Sequence, residues 1–297
     1  MELNAYLKVF EDYISKHELF PRNASVYVLI SGGKDSTAMS YFMKEYSKKR
    51  KDLKIEYLNV VFPQMVFGKD KKDINATVQN ISKGLKNFKS EVADTNYAKL
   101  SVVQHPCLLC KEVRRKIIAD IIAKEKKKNV FIATAHNNYD LLAYFVEFFG
   151  INPKDLAEQG LNYGQLHKIS IKDEQLEHLS HFFPELELNS GVVLIKPMLI
   201  FSRLEIEDMF SRINHISKAE FTTGCGIAGF LEHCPYAKER PKRVLFKFLS
   251  TFPAGQIKSL TKHDTFKEML SVLKEKAINY DEALEKVKKT NYEGLLF

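Results

Sequence analysis

No stretch of the 297 residues stays apolar for the roughly 20 positions that a membrane-spanning helix needs. No N-terminal segment has the basic, apolar and small-residue succession of a secretory leader, so the expected location is the cytoplasm, with no membrane partner. Cysteine is scarce. Four residues in so long a chain argue against a disulfide framework, and in a reducing compartment they point to metal or redox chemistry. Internal repeats, low-complexity tracts and an obvious flexible linker are all missing. Acidic residues are outnumbered, 37 against 45 Lys and Arg, for a formal charge of +8. A basic balance suits a polyanionic partner, because neutralised phosphates release counterions. Runs such as Lys48-Lys49-Arg50-Lys51 and Lys126-Lys127-Lys128 fit solvated helical faces equally well. The length allows a sizeable core, as one large domain with an appendage.

What is present begins with Ser25-Val26-Tyr27-Val28-Leu29-Ile30, followed at once by Ser31-Gly32-Gly33-Lys34-Asp35-Ser36. A β-branched and aromatic run that ends in Ser-Gly-Gly before a helical pattern predicts strand, tight turn and helix start. The glycines let backbone approach a ligand, and the first N–H groups of the helix point at it with the positive end of the dipole. Lys34 adds a cation; Ser31 and Ser36 add hydroxyls. This differs from the Walker loop and from the Gly-x-Gly-x-x-Gly dinucleotide fingerprint. It resembles the PP-loop of the ATP pyrophosphatases, which split ATP between its α and β phosphates. The plainer alternative is a glycine turn that opens any α/β helix.

Residues 2–19 carry Leu3, Tyr6, Leu7, Phe10, Tyr13 and Ile14 at helical spacing, which predicts an amphipathic helix ahead of the first strand. Further strands are expected at Lys54–Phe62, Ser90–Asp94, Val130–Ala135 and Val192–Met198, with helices at Ser36–Lys49, Ile74–Asn87 and Glu112–Lys127. The alternation implies an α/β fold, a parallel sheet sandwiched by helices. Residues 1–201 are expected to form the nucleotide-binding domain, with 151–190 an excursion or lid. A mainly helical C-terminal region, 202–297, follows and ends in the charged amphipathic stretch Thr265–Lys289.

Cys107-Leu108-Leu109-Cys110 precedes Lys111, Arg114 and Arg115, and Cys225 and Cys234 lie far downstream. A Cys-x-x-Cys turn brings two thiolates together, and a helix N-terminus with nearby cations favours the thiolate form. A four-thiolate zinc site, a redox dithiol and an iron–sulfur cluster all remain open on spacing alone.

Several motifs together resemble one family, the PP-loop tRNA thiolation enzymes that make 2-thiocytidine or 2-thiouridine. They are Ser31–Ser36, the Cys107/Cys110 pair with two arginines, and Ala135-His136-Asn137-Asn138-Tyr139-Asp140. Lys196-Pro197 with Arg203 and Glu205 joins them, as does Glu232-His233-Cys234-Pro235-Tyr236-Ala237. The resemblance spans about residues 20–256, to Thr251-Phe252-Pro253-Ala254-Gly255. It implies an adenine nucleotide alpha-hydrolase-like fold and a [4Fe-4S] cluster held by Cys107, Cys110 and a third cysteine. Cys234 is the better match, with Cys225 an alternative or fourth ligand. The family's second motif is typically Gly-His-Asn-x-Asp-Asp, so Ala135 and Tyr139 depart from it. The zinc modules of the 2-thiouridine branch are also missing. Both departures put the acceptor in doubt.

The implied reaction adenylates a pyrimidine C2 carbonyl with ATP and Mg²⁺, then delivers sulfide. Phosphate binding falls to Ser31, Gly32, Gly33, Lys34 and Ser36, with Asp35 placing Mg²⁺ or capping the loop. Val60 and Val61 are expected to touch adenine by backbone, and Ala135, His136 and Asp140 to line the nucleotide. Asp140, Lys34 and Arg114 are the candidate catalytic groups; Arg115 is a second candidate phosphate ligand. Expected partners are tRNA, ATP and a sulfide donor or sulfur-carrier protein, and family members are often homodimers. Lys238, Arg240, Lys242, Arg243 and Lys247 are candidate RNA contacts or a solvated face. Two rival readings stay open. One is an amide- or lysidine-forming ATP pyrophosphatase, which leaves the cysteines idle. The other is a nucleotide- and RNA-binding module without chemistry. A divergent sulfurtransferase with a non-tRNA substrate is a third variant.

Overall fold

Strand β1, Ser25–Ile30, is buried at all six positions. A strand without polar alternation requires cover on both faces, and that places it inside a sheet. Its neighbours are β2 (Lys54–Val61) and β4 (Val130–Ala133), both parallel to it. β3 (Phe88–Val92) extends the sheet beyond β2 in parallel. On the other side β6 (Val193–Ile195) runs parallel to β4, and β5 (Glu185–Glu187) closes the edge antiparallel to β6. The order is β3-β2-β1-β4-β6-β5. The chain thus leaves β1 in one direction for β2 and later returns to its other side as β4. Open α/β sheets bind ligands at the carboxyl ends of strands flanking such a switch.

The computed structural model describes residues 2–61, 79, 82–93, 106–125, 127–213, 245 and 265–296. Within them the sheet is flanked by α1 (Leu3–Lys16), α2 (Lys34–Lys49), α3 (Pro106–Lys124), α4 (Asn138–Phe149) and α5 (Pro153–Gln159). The helices α6 (Leu176–Ser180), α7 (Arg203–Arg212), α8 (Thr265–Lys276), α9 (Tyr280–Lys289) and α10 (Tyr292–Leu295) follow. No helix among the described residues is long and apolar enough to cross a membrane.

The α/β class and the parallel core strands agree with the periodicity, and several details differ. The third strand begins two residues early, at Phe88, because Asn87 takes a positive φ of 56° and turns the chain into it. That turn and Gly84 at φ 74° also end the helix expected to run to Asn87; most of that helix lies outside the described residues. Strand β5 lies inside the expected excursion. Its three residues alternate exposed, buried, exposed, too short a pattern to stand out, and its two glutamates guard the open edge. The helix expected from Glu112 starts at Pro106, a residue suited to a first helical position, so the Cys-x-x-Cys pair lies in its first turn rather than ahead of it. The C-terminal stretch breaks into α8 and α9 where Asn279 leaves the helix. Its side chain exchanges hydrogen bonds with the backbone of Ile171, accepting at 2.8 Å and donating at 2.9 Å.

One hydrophobic core joins these elements, from Phe10 of α1 through the strands to Phe266, Met269 and Leu273 of α8. Phe42 of α2 meets Phe10 at 5.4 Å and Phe201 at 6.1 Å between ring centres, all three fully buried. Each such side chain contributes about 1.5–3 kcal/mol by burial. This packing fixes α2, and with it the loop at its N-terminus.

Candidate functional site

The loop after β1 is built by its two serines. Ser36 is buried in the first turn of α2, and its Oγ accepts from Ser31 N at 3.2 Å and donates to Gly33 O at 3.1 Å. Ser31 Oγ lies 3.0 Å from Ser36 Oγ and accepts from Gly33 N at 3.3 Å. Gly32 takes φ 83°, a conformation that disfavours any side chain. Gly33 is the N-cap and offers no side chain to cap the helix. The sixteen-residue α2 therefore presents its N-terminal amides uncapped by a side chain, in a turn that two hydroxyls hold rigid.

The second motif stands on the neighbouring strand. After β4, Thr134 N donates to Ile195 O at 3.0 Å, which extends the pairing with β6. His136 Nδ1 lies 2.9 Å from Thr134 Oγ1. Asn137 caps α4: its Oδ1 accepts from the amides of Tyr139 and Asp140, and Asp140 Oδ2 accepts from Asn137 N at 3.0 Å. This is a reciprocal capping box. Asn137 Nδ2 also donates to Asp35 Oδ1 at 2.7 Å. The two motifs, a hundred residues apart in sequence, are thereby joined at the carboxyl ends of adjacent strands. On the other flank Asn59 Nδ2 donates to Ile30 O at 2.7 Å and ties β2 to the end of β1, just before Val60 and Val61.

Helix α7 brings charge to the loop. Ser202 and Glu205 form a capping box at its start, and α7 packs along α2. Lys34 Nζ lies 3.1 Å from Glu207 Oε1, and Arg203 Nε lies 3.2 Å from the same oxygen. Burial pushes the Glu207 carboxyl up, but Lys34 and Arg203 outweigh it and hold the group below its usual range. The Arg203 guanidinium is 5.8 Å from the centre of the Tyr139 ring, a cation–π contact at the position that departs from the family pattern.

Beneath the second motif lies a buried polar cluster. The His136 ring stacks on His181 at 3.7 Å, and Tyr144 stacks on His178 at 4.3 Å. His181 is fully buried, neither ring nitrogen has a hydrogen-bond partner among the described residues, and Nε2 stands 3.8 Å from Glu177 Oε1. Burial pushes the imidazole down to about 4, only partly offset by Glu177. Lys196 is also fully buried; its Nζ donates to Ser180 O at 2.7 Å, and burial pushes it down to about 7. Glu177 pairs with Lys111, and with Arg115 at 2.7 Å. Burial raises its carboxyl, yet His181, Lys111 and Arg115 together hold it well below the carboxylate range.

The structure thus brings together Ser31, Gly32, Gly33, Lys34, Asp35 and Ser36 with Ala135, His136 and Asp140. Arg115, a second candidate phosphate ligand, pairs with Glu177 in this structure, and its Nε donates to Leu296 O. Arg114 is half-buried on the same helix. Cys107 and Cys110 stand three residues apart near the start of α3. Their side chains lie outside the described residues, as do Cys225, Cys234 and the basic stretch 238–247. Among the described residues no group of three or more His, Cys, Asp or Glu could hold a metal ion. Sequence reading missed Asn137, Glu207, Glu177 and His181. Asn-x-x-Asp at 137–140 is a legible capping signal; the other three act through contacts between distant segments.

A glycine-rich strand-to-helix loop at the switch point of a mostly parallel six-stranded sheet defines an open-sheet α/β protein. The family model of the PP-loop domain matches residues 5–217, and the chain belongs to that family of ATP pyrophosphatase enzymes. ATP binding is a property of the PP-loop domain, and the loop at 31–36 lies within the matched residues. Among solved structures the chain is similar to the U34-tRNA thiolase NcsA from Methanococcus maripaludis with its [4Fe-4S] cluster. The two share 19% identity and a TM-score of 0.54, over 91% of this chain and 80% of that one. An NH3-dependent NAD synthetase from Campylobacter jejuni matches at 13% identity and a TM-score of 0.40, over 91% and 94% of the two chains. No curated protein sequence matches the chain.

Proposed function

We propose that this enzyme uses ATP to activate the C2 carbonyl of a tRNA pyrimidine for replacement of its oxygen by sulfur. The carbonyl oxygen attacks the α-phosphorus and displaces pyrophosphate; sulfide then adds at C2, and AMP leaves with the original oxygen. Such chemistry asks for charge stabilisation and positioning rather than an elaborate base. Gly32, Gly33 and the N-terminal amides of α2 hold phosphate, with Lys34 as the cation. Ser31 and Ser36 keep that turn in shape. Asp140 and Asn137 fix the second motif against Asp35, so Asp140 acts by holding backbone rather than by moving a proton. Asp35 remains the candidate carboxylate for Mg²⁺.

The donor set suits an iron–sulfur cluster, with Cys107 and Cys110 three residues apart on α3 and Cys234, or Cys225, as the third thiolate. When bound, a three-thiolate [4Fe-4S] cluster supplies an iron able to bind sulfide. The observation that carries the proposal is the presence of a Cys-x-x-Cys helix on the same scaffold as the joined phosphate loop and second motif. The methanococcal structure, similar in fold, is by its name a U34-tRNA thiolase with a [4Fe-4S] cluster.

The test is anaerobic reconstitution with iron and sulfide, followed by ATP, sulfide and bulk tRNA, with mass spectrometry of the nucleosides. The expected result is a new thionucleoside and one pyrophosphate per sulfur, with sulfur incorporation lost when Cys107 and Cys110 become alanine. Sulfur incorporation that persists undiminished in the double variant, or pyrophosphate release by the reconstituted wild type with no thionucleoside formed, would overturn the proposal.

A further inference from the structure

Glu207 offers a single carboxylate oxygen to two cations at once, Lys34 at 3.1 Å and Arg203 at 3.2 Å. Lys34 belongs to the phosphate loop, and Arg203 reaches over Tyr139 of the second motif. Two cations from opposite sides of the nucleotide site that meet on one oxygen form an anion site, filled here by the protein's own carboxylate. All three side chains stay partly open to water, at 53% for Lys34, 35% for Glu207 and 32% for Arg203. An ion pair this exposed is screened and exchangeable.

We propose that Lys34 and Arg203 are the two arms of a clamp for the terminal phosphates of ATP and for the departing pyrophosphate. In this clamp Glu207 is a built-in competitor that a polyphosphate must displace. This inference rests on the ATP-binding reading of the loop. Arginine suits the role, because its forked donors match phosphate oxygens and its charge never titrates. Glu207 also sits one helical turn after Arg203, the spacing at which the two side chains meet on one face. The carboxylate keeps both cations gathered in the absence of nucleotide and repels any anion of low charge too weak to displace it. It thereby favours ligands with several adjacent negative charges over inorganic phosphate or sulfate.

Calorimetric titration of the full chain with pyrophosphate and with a non-hydrolysable ATP analogue tests this, in EDTA and again with Mg²⁺. Glu207→Gln is expected to tighten pyrophosphate binding by about two- to fivefold in EDTA, the range typical of an exposed ion pair, and to lose the gain at high salt. Its preference for pyrophosphate over inorganic phosphate should narrow. Arg203→Ala should weaken pyrophosphate by about tenfold or more, as expected for a charge-assisted hydrogen bond. The gain from Glu207→Gln should shrink in the double variant. Unchanged or weaker binding by Glu207→Gln in EDTA overturns the clamp, and weakening confined to Mg²⁺ would make Glu207 a metal ligand instead. A wild-type chain that binds neither ligand overturns the ATP reading itself. Urea unfolding of each variant shows that these changes are not losses of fold.

Discussion

Gly32 is the residue on which the phosphate loop turns. Its φ of 83° lies where an L side chain costs about 1–2 kcal/mol, since Cβ meets the following carbonyl. Gly32→Ala is therefore expected to distort the turn, misaim the amides of α2 and weaken ATP binding by about tenfold, with a loss of stability of at most about 1–2 kcal/mol. Equilibrium dialysis and urea denaturation on one preparation separate the two effects. Gly33 differs: its φ is −78°, and its value lies in leaving the helix without a side-chain cap. Both glycines were legible in the sequence, because Ser-Gly-Gly after an apolar strand has few other uses. Glu207 was not legible. It is one of many glutamates on charged helices, and only the packing of α7 along α2 brings it to Lys34.

At the scale of elements, Asn137 does two jobs, capping α4 and donating to Asp35. Asn152 does only the first, as cap of α5, where its Oδ1 accepts from Lys154 N at 2.9 Å. Each replacement by alanine is expected to cost about 0.5–2 kcal/mol of stability. Only Asn137→Ala should also weaken ATP, because it releases the phosphate loop from the second motif. Chemical denaturation with ATP titration checks both halves, and equal ATP binding by the two variants would count against the coupling. The core strands and α2 were readable from periodicity. Strand β5 was not, because three residues give no period; its pairing with β6 defines it.

At the scale of the whole molecule, the segment 151–190 sets the electrostatics. It places His181 under His136, and Glu177 against Lys111 and Arg115. His181 titrates near 4 when folded against 6.5 in the unfolded chain. Between these values the unfolded chain binds the proton and the native one does not, so stability falls as pH drops through that window and is fully present above it. The melting temperature is expected to fall between pH 6.5 and 4. His181→Phe, which keeps the ring stack, should show a smaller fall. Lys196 gives the same sign in another window: its native value near 7 lies below the usual 10.5, so its contribution to stability grows as pH rises between them. Thermal melts across pH on both proteins decide, and identical pH profiles for wild type and His181→Phe would refute the assignment.

The same segment anchors the C-terminal helices, through the Asn279 bonds to Ile171 and the amide of Asn189, which donates to Lys288 O at 3.0 Å. Local order along the chain was enough to determine the α/β class, the anion loop and the capping signal at Asn137. Each depends on spacing within a few residues: alternation, glycine at a strand end, a cap three positions ahead of its partner. Only tertiary structure decided that Asp35 meets Asn137, that Arg115 pairs with Glu177, and that Glu207 lies between Lys34 and Arg203. Those contacts join segments about sixty to a hundred and seventy residues apart, or depend on them, and their strength comes from burial and charge that no local pattern encodes.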